Sequence, residues 1–181
     1  MNKLIILSGC SGGGKSTLLY ELERLGYSVI PEVGREVYRQ RLKVKKDFTA
    51  QDYLNICEEI IERSIDDYKK AQKIKSPKAQ SIFFDRSFLE CISYYQNLKI
   101  EDSHKYDYLI TDLRYFPTIF MTPPWKEIHH QDDERLHSFE NAVADYERYR
   151  ESFSQYGYRI LELPKVSVKE RVDFMISWIG S

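Results

Sequence analysis

Residues 9 to 16 combine glycines, a lysine and a serine in an order suited to binding phosphate. They read Gly-Cys-Ser-Gly-Gly-Gly-Lys-Ser and fit the pattern G-x-x-x-x-G-K-[ST]. In such a segment the glycines let backbone N–H groups converge on a phosphate, the lysine reaches the terminal phosphates, and the hydroxyl contacts Mg²⁺. We therefore expect a nucleoside triphosphate there, with a purely structural glycine-rich turn as the alternative. The expected contacts are Gly9, Cys10, Ser11, Gly12, Gly13, Gly14, Lys15, Ser16 and Thr17.

A carboxylate and a guanidinium follow the apolar run 81–84, as Asp85 and Arg86. Asp85 at a strand end could hold Mg²⁺ together with Ser16, or could deprotonate a substrate hydroxyl. ATP-hydrolysing motors usually carry a glutamate at the second position, whereas an arginine there suits a phosphate or an anionic substrate. The pair thus favours transfer to a bound acceptor over hydrolysis. The alternatives are that Asp85 only satisfies helix N–H groups and that Arg86 is only a salt-bridge partner.

Glu32 follows the run Tyr27–Ile30 and is the second candidate for proton transfer. Its carboxylate could act as a base or grip sugar hydroxyls on the acceptor side, with Arg35 as a further substrate contact. The competing interpretation is structural, because Glu32, Arg35, Glu36 and Arg39 are spaced as a ladder of charges on an exposed helix face.

A third polar cluster spans 129–135 and reads His-His-Gln-Asp-Asp-Glu-Arg. We expect a lid at about 122–137, from which Arg135 could close on the triphosphate and stabilise charge in the transition state. The alternative for Arg135 is an ordinary residue at a helix start. His129 and His130 lack a third ligand at suitable spacing, so we expect no zinc site.

The elements that would position these groups alternate between strand and helix. Buried strands are expected at 4–7, 27–30, 81–84, 118–121 and 158–163, and helical periodicity lies between them. We expect capping boxes at Thr49/Asp52, Ser87/Glu90 and Ser167/Glu170. This alternation predicts a three-layer α/β/α fold with a five-stranded parallel sheet, whose carboxyl edge collects the polar clusters.

Composition is that of an ordinary globular protein. The 181 residues, 42% of them hydrophobic, predict a single domain over 1–181. The net charge of −1 gives no reason to expect nucleic acid as a partner. The absence of a long apolar run predicts no membrane association, and three scattered cysteines predict a reducing compartment, so we expect a cytoplasmic protein. Cys10 is more simply a buried filler than a redox group.

These motifs together resemble a known group. The phosphate-binding segment, Pro31-Glu32 with Arg35, Asp85-Arg86-Ser87, Pro123-Pro124-Trp125 and 132–135 resemble the small P-loop NTPases called AAA-type ATPase domains. That group is similar to ribosylnicotinamide kinase and, more distantly, to thymidylate and deoxynucleoside kinases. The resemblance implies a nucleoside- or nucleotide-kinase-like fold with strand order 2-3-1-4-5, with Mg²⁺ and substrate roles for Asp85, Arg86 and Glu32, and a lid role for Arg135. It also implies adenine binding near Pro164 and Lys165.

The hypothesis that follows is an ATP- and Mg²⁺-dependent kinase acting on a small metabolite, with nucleosides and nucleotides as candidate acceptors. In this reading Lys15, Glu32, Asp85, Arg86 and Arg135 form the catalytic set. No N-K-x-D motif for guanine occurs, which favours ATP over GTP. Two alternatives stay open: an ATPase or GTPase that switches contact with a protein partner, and a nucleotide-binding module without turnover. Neither the acceptor nor the oligomeric state can be read from the sequence, although Tyr94, Tyr95 and Tyr106 are candidate pocket walls.

Overall fold

The computed structural model describes residues 2–45, 47–75, 78, 80–98, 102–128 and 138–180. Five parallel strands form one sheet in the order β2-β3-β1-β4-β5, which confirms the expected topology. The strands are β1 (Lys3–Gly9), β2 (Ser28–Ile30), β3 (Ser81–Asp85), β4 (Thr118–Thr122) and β5 (Arg159–Glu162). β1 lies at the centre, so the segment that follows it starts in the middle of the sheet's carboxyl edge.

Helices cover both faces of this sheet. They are α1 (Lys15–Arg24), α2 (Val33–Leu42), α3 (Ala50–Lys73), α4 (Phe88–Leu98), α5 (Tyr108–Asp112), α6 (Phe139–Gln155) and α7 (Val168–Gly180), with a 3₁₀ turn at Lys126–Ile128. The strand β1 shows the layering directly. Leu4 and Ile6 pack into the cluster under α3, α4 and α6, whereas Ile5 and Leu7 pack into the cluster under α1 and α7. The alternation places two hydrophobic cores back to back, as expected for three layers.

The predicted helix starts are present. Thr49 and Asp52 exchange both capping-box hydrogen bonds at the start of α3. The Ser167 N–H donates to Glu170 at 3.1 Å, and the Ser87 N–H donates to Glu90 at 3.0 Å. Each box satisfies N–H groups that the first turn leaves unpaired.

Several element bounds differ from the expectation. β1, β3 and β4 extend one or two residues further toward the site than predicted, whereas β5 stops at Glu162. The polar Ser8, Asp85 and Thr122 are strand residues because ladder pairing continues past the apolar run. Among the described residues, no helix is long and apolar enough to cross a membrane.

Candidate active site

The loop after β1, residues 9–17, curls directly against the end of β4. The Cys10 N–H donates to the Thr122 carbonyl at 2.9 Å, and the Gly13 N–H donates back to the Cys10 carbonyl at 3.1 Å. A Cβ on Gly9 would lie 2.3 Å from the Thr122 carbonyl oxygen, and one on Gly13 would lie 2.6 Å from its hydroxyl. Gly9, Gly12 and Gly14 also have positive φ. The glycines are therefore required by backbone shape and by close approach, and the turn opens into a cradle.

Lys15 lies within this cradle as the first residue of α1. It is only 8% exposed, and its Nζ donates to the Cys10 carbonyl at 3.0 Å. Burial, with the positive charge of Arg86, lowers the pKa of Lys15 to about 8, although Asp85 and Glu32 oppose the shift. An ammonium held this way lacks a full counter-charge, and an anion such as a phosphate would supply it.

Ser16 and Thr17 follow on the exposed first turn of α1, and both line a cavity that adjoins the loop. Cys10 is buried at 1% exposure, and burial raises the pKa of its thiol. These features agree with Cys10 as a filler of the loop.

Asp85 is the last residue of β3, level with Leu7 of β1. Its Oδ1 is buried and has no hydrogen-bond partner among the described residues. Burial and the neighbouring Glu32 carboxylate raise its pKa, and the cations of Lys15 and Arg86 only partly compensate. A buried carboxylate oxygen without a donor fits a hard divalent cation, and the Ser16 hydroxyl is an oxygen ligand of the kind Mg²⁺ takes. Asp85 and Ser16 are thus suited to Mg²⁺.

Arg86 turns back over the cavity from the end of β3. Its backbone has a φ of 66°, uncommon for a residue with a side chain, and its N–H donates to the Leu7 carbonyl at 3.1 Å. Its guanidinium lies 3.4 Å from Glu32 and 5.6 Å from the ring centre of Tyr149. Burial disfavours the charge, but the carboxylates, Glu32 foremost, outweigh it and raise the pKa of Arg86. Its buried Nη1 has no hydrogen-bond partner among the described residues, although it lies 4.0 Å from the carboxylate of Glu90.

Glu32 and Arg35 lie at the start of α2, across the cavity from the loop. Glu32 is the N-cap residue, and its carboxylate lies between two cations, Arg86 at 3.4 Å and Arg35 at 3.7 Å. The predicted i,i+3 pair is therefore present. The pairing with Arg86 also brings Glu32 to the end of β3, so this residue is more than part of an exposed charge ladder.

Glu90 is a buried part of the site whose function the sequence did not reveal. It accepts hydrogen bonds from the Ser8 hydroxyl at 2.6 Å and from the Ser87 hydroxyl at 2.7 Å, and it is 6% exposed. Its Oε1 lies 4.0 Å from Arg86. The capping box at Ser87 was a visible signal for the helix start, but not for the contact that joins α4 to the end of β1.

The cavity has a volume of about 690 Å³ and extends from the loop to the helices α2, α3, α4 and α6. Tyr94 and Tyr149 line its far side, and the Arg148 guanidinium lies 5.9 and 4.9 Å from their ring centres. Tyr94 was an expected wall. Tyr95 and Tyr106 do not line this cavity: Tyr95 is 1% exposed in the core, and Tyr106 packs against it. Adjacent residues of an α-helix point about 100° apart, which explains why Tyr94 reaches the cavity while Tyr95 points into the core.

One further residue beside the loop, Arg171, was not singled out from the sequence. Arg171 of α7 is 4% exposed, its Nη1 donates to the Gly13 carbonyl at 3.4 Å, and its guanidinium lies 5.4 Å from the Trp125 ring centre. Burial lowers the pKa of Arg171. The contact ties the segment after β4 to the loop.

Arg135, His129 and His130 lie outside the described residues, as does most of the expected lid.

The comparisons with known proteins identify the family and the fold. A family model described as an AAA domain matches residues 4–171. No protein of curated function matches the chain. Among solved structures, deoxyadenosine kinase from M. mycoides with bound dATP is 17% identical, covers 99% of this chain and 100% of its own, and has a TM-score of 0.65.

Two further structures have the same fold. NadR protein in complex with NR is 20% identical with a TM-score of 0.74, and the match covers 99% of this chain but 52% of the NadR chain. Thymidylate kinase from Ehrlichia chaffeensis is 17% identical with a TM-score of 0.63, and the match covers 98% of both chains. At such identities the similarity establishes the kinase-like P-loop fold.

Proposed function

The chain belongs to the AAA domain family, whose model spans residues 4–171, and we propose that it is a kinase that uses ATP and Mg²⁺. The phosphoryl acceptor is a small metabolite, with nucleosides and nucleotides as the first candidates. The observation that carries the proposal is the continuous cavity, which extends from the phosphate loop to α2, α3, α4 and α6 and is also lined by the paired Glu32 and Arg86. A hydrolase needs space for water only, whereas this cavity of about 690 Å³ continues past the loop to side chains of α3, α4 and α6.

In the proposed reaction each end has its own task. Lys15 and the loop N–H groups bind the donor phosphates. Ser16 and Asp85 are oxygen ligands suited to Mg²⁺, and a bound Mg²⁺ would neutralise charge on the transferring group. Glu32 takes the proton from the acceptor hydroxyl, and the guanidinium of Arg86 donates to the phosphoryl oxygens. Arg135 is proposed to close over the donor.

The neighbouring structures support a search among ring-bearing acceptors. One of them holds dATP and another holds NR, and both are kinase-like folds of similar topology. The rings of Tyr94 and Tyr149, which line the cavity, suit contact with a flat ring. We therefore propose a panel of nucleosides, nucleotides and pyridine ribosides as acceptors.

The test measures ADP release and phosphorylated product with this panel, ATP and Mg²⁺. We expect ADP release to require one class of acceptor. Glu32→Gln and Asp85→Asn should each lower kcat by about a hundredfold or more, as expected for loss of a general base or a metal ligand, while ATP affinity changes less. Glu36→Gln, an exposed carboxylate on the same helix, is the matched control and should leave kcat unchanged.

The alternatives give different results. ADP release that no acceptor stimulates would identify an ATPase or GTPase instead. Tight ATP binding without any ADP release would indicate a nucleotide-binding module. Wild-type turnover in both Glu32→Gln and Asp85→Asn would refute the assigned chemistry.

A further inference from the structure

A second ion pair in the wall of the cavity has no task in the proposed phosphoryl transfer. Asp145 and Arg148 lie one turn apart on α6, and both line the cavity. The Arg148 Nη1 lies 2.7 Å from the Asp145 Oδ1, and both side chains are partly buried. The pair therefore places a carboxylate and a guanidinium side by side in the cavity wall.

A neighbouring pair on the same helix shows what is particular about this one. Glu147 and Arg150 have the same i,i+3 spacing and a similar separation of 2.8 Å, but both are exposed. Exposed pairs of this kind contribute little to stability. Asp145 and Arg148 instead lie where α6 borders the cavity, so a molecule bound there can reach both of them.

The hydrogen-bonding capacity of the pair exceeds what its surroundings use. The Arg148 guanidinium lies 5.9 Å from the ring centre of Tyr94 and 4.9 Å from that of Tyr149. Its Nε is buried and has no hydrogen-bond partner among the described residues. A guanidinium carries more N–H donors than one carboxylate oxygen can accept, and a carboxylate has more lone pairs than one donor uses. The pair can therefore both donate to a ligand and accept from it.

The charges in this part of the cavity are already paired. Arg148 has Asp145 as its partner, and Arg86 has Glu32 at 3.4 Å. A further anion would face the Asp145 carboxylate, and a further cation would face the Arg148 guanidinium. The pair therefore favours an uncharged polar group, in contrast to Lys15 at the loop, whose charge is only partly compensated.

We propose that Asp145 and Arg148 select the acceptor by binding an uncharged ring edge that carries a hydrogen-bond donor beside a hydrogen-bond acceptor. Asp145 accepts from the donor, and Arg148 donates to the acceptor. Carboxamides have this arrangement, and so do the amino group and adjacent ring nitrogen of adenine and cytosine. Tyr94 and Tyr149 supply aromatic contact for such a flat group. The inference rests on the proposed function, because it names the chemical class of that acceptor.

The experiment measures binding to the full chain by titration calorimetry with three pairs of ribosides. Each pair keeps the sugar and changes the ring edge: adenosine and purine riboside, cytidine and 2-pyrimidinone riboside, and nicotinamide riboside and nicotinic acid riboside. We expect the first member of at least one pair to bind about tenfold or more tightly than the second, because a site built to hydrogen-bond a group rejects the analogue that lacks it. Equal affinities within every pair, or no binding by any riboside, would overturn the proposal.

Asp145→Asn tests the charge of the pair. The variant leaves the Arg148 charge unpaired, so affinity for the preferred riboside should fall about tenfold, whereas nicotinic acid riboside, which carries a carboxylate, should bind more tightly than before. Glu147→Gln on the same helix is the matched control and should leave every affinity unchanged. An equal loss for all ribosides in Asp145→Asn would indicate a structural role and overturn the assignment. The riboside comparison on the unmodified chain stands even where this variant folds poorly.

Arg148→Lys keeps a positive charge but removes the planar fork of donors. We expect the KM of the preferred riboside to rise about tenfold while the KM of ATP changes little, with Arg150→Lys as the exposed control. An unaltered riboside KM would remove Arg148 from the acceptor contacts. Binding does not require turnover, so ring-edge selection without ADP release would support this site and refute only the proposed function. Riboside-dependent ADP release without edge selection would refute only this inference.

Discussion

The two ends of the cavity are built by different kinds of chain segment. The loop end, which we propose binds phosphate, consists of nine consecutive residues, 9–17, and the Cys10 N–H joins it to the Thr122 carbonyl at the end of β4. The opposite end is assembled from side chains on α2, α3, α4 and α6. One end is therefore fixed by backbone shape, and the other by contacts between side chains that are distant in sequence. Substitutions at the second end can change what binds without changing the fold.

The contacts at the two ends of the cavity differ in strength as well as in the kind of chain segment that makes them. At the loop, a Cβ added to Gly9 would meet backbone atoms of β4, which can move only if the sheet does. On the acceptor side, Glu32 meets Arg35 and Arg86 at 3.7 and 3.4 Å, and both pairs are partly open to water. Ion pairs of this kind contribute little to stability. We expect stability to depend on the loop, and specificity on the other end.

The strongest test of this contrast is Gly9→Ala. Its φ of 115° is strained for alanine, and its Cβ would lie 2.3 Å from the Thr122 oxygen, so we expect a loss of about 4 kcal/mol in the free energy of unfolding. Gly26→Ala is the matched control, because Gly26 has a φ of 90° but no atom within 4 Å of its Cβ. That control should lose only about 1 kcal/mol. Urea denaturation measures both, and equal losses would show that the close approach to β4 is not rigid.

The next test removes the charge at the phosphate end. Lys15→Ala should weaken ATP binding by about 3 kcal/mol, roughly a hundredfold, because a buried ammonium no longer meets the phosphates. Titration calorimetry measures the affinity. Lys73→Ala replaces an exposed lysine at the end of α3 and should leave ATP affinity unchanged. Unaltered ATP affinity in Lys15→Ala would remove the loop from the assigned site.

Glu90 is the link between the two ends, and its substitution sharpens the comparison. Its carboxylate joins Ser8, just before the loop, to Ser87 and Arg86 at the end of β3. Glu90→Gln replaces a carboxylate by a neutral amide and should lower the free energy of unfolding by about 2 kcal/mol, because the buried hydroxyls lose a charged hydrogen-bond partner. Thermal unfolding checks this against Glu147→Gln, an exposed carboxylate whose loss should not alter the Tm. Equal Tm values would show that the two ends are not joined through Glu90.

The same contrast explains how far the sequence could be interpreted. The loop, the strand order and the capping boxes depend on short motifs, periodicity and a family resemblance, so they could be predicted. Glu90, Arg171 and Tyr149 depend on which helices pack together, and no local spacing reports that. Tyr94 and Tyr95 show the limit clearly: they are neighbours in sequence, but one lines the cavity and the other is buried in the core.

The smallest expected effect is the uptake of less than one proton when ATP binds. It depends on the buried charge of Lys15 at the loop end of the cavity. Burial lowers the pKa of Lys15 to about 8, so at pH 8 about half of the ligand-free molecules lack that proton. Phosphates favour the charged form, so ATP binding at pH 8 should take up about half a proton, and ATP affinity should fall as the pH rises above 8. Calorimetry in two buffers of different ionisation enthalpy measures the uptake, and Lys15→Ala should abolish it. Because this pKa lies below that of the unfolded chain, ligand-free stability from this group rises as the pH increases from about 8 to 10.5. The buried charge of Lys15 therefore lowers the free energy of unfolding at neutral pH until an anion binds. Proton uptake near zero on ATP binding would mean that Lys15 is fully charged before ATP binds.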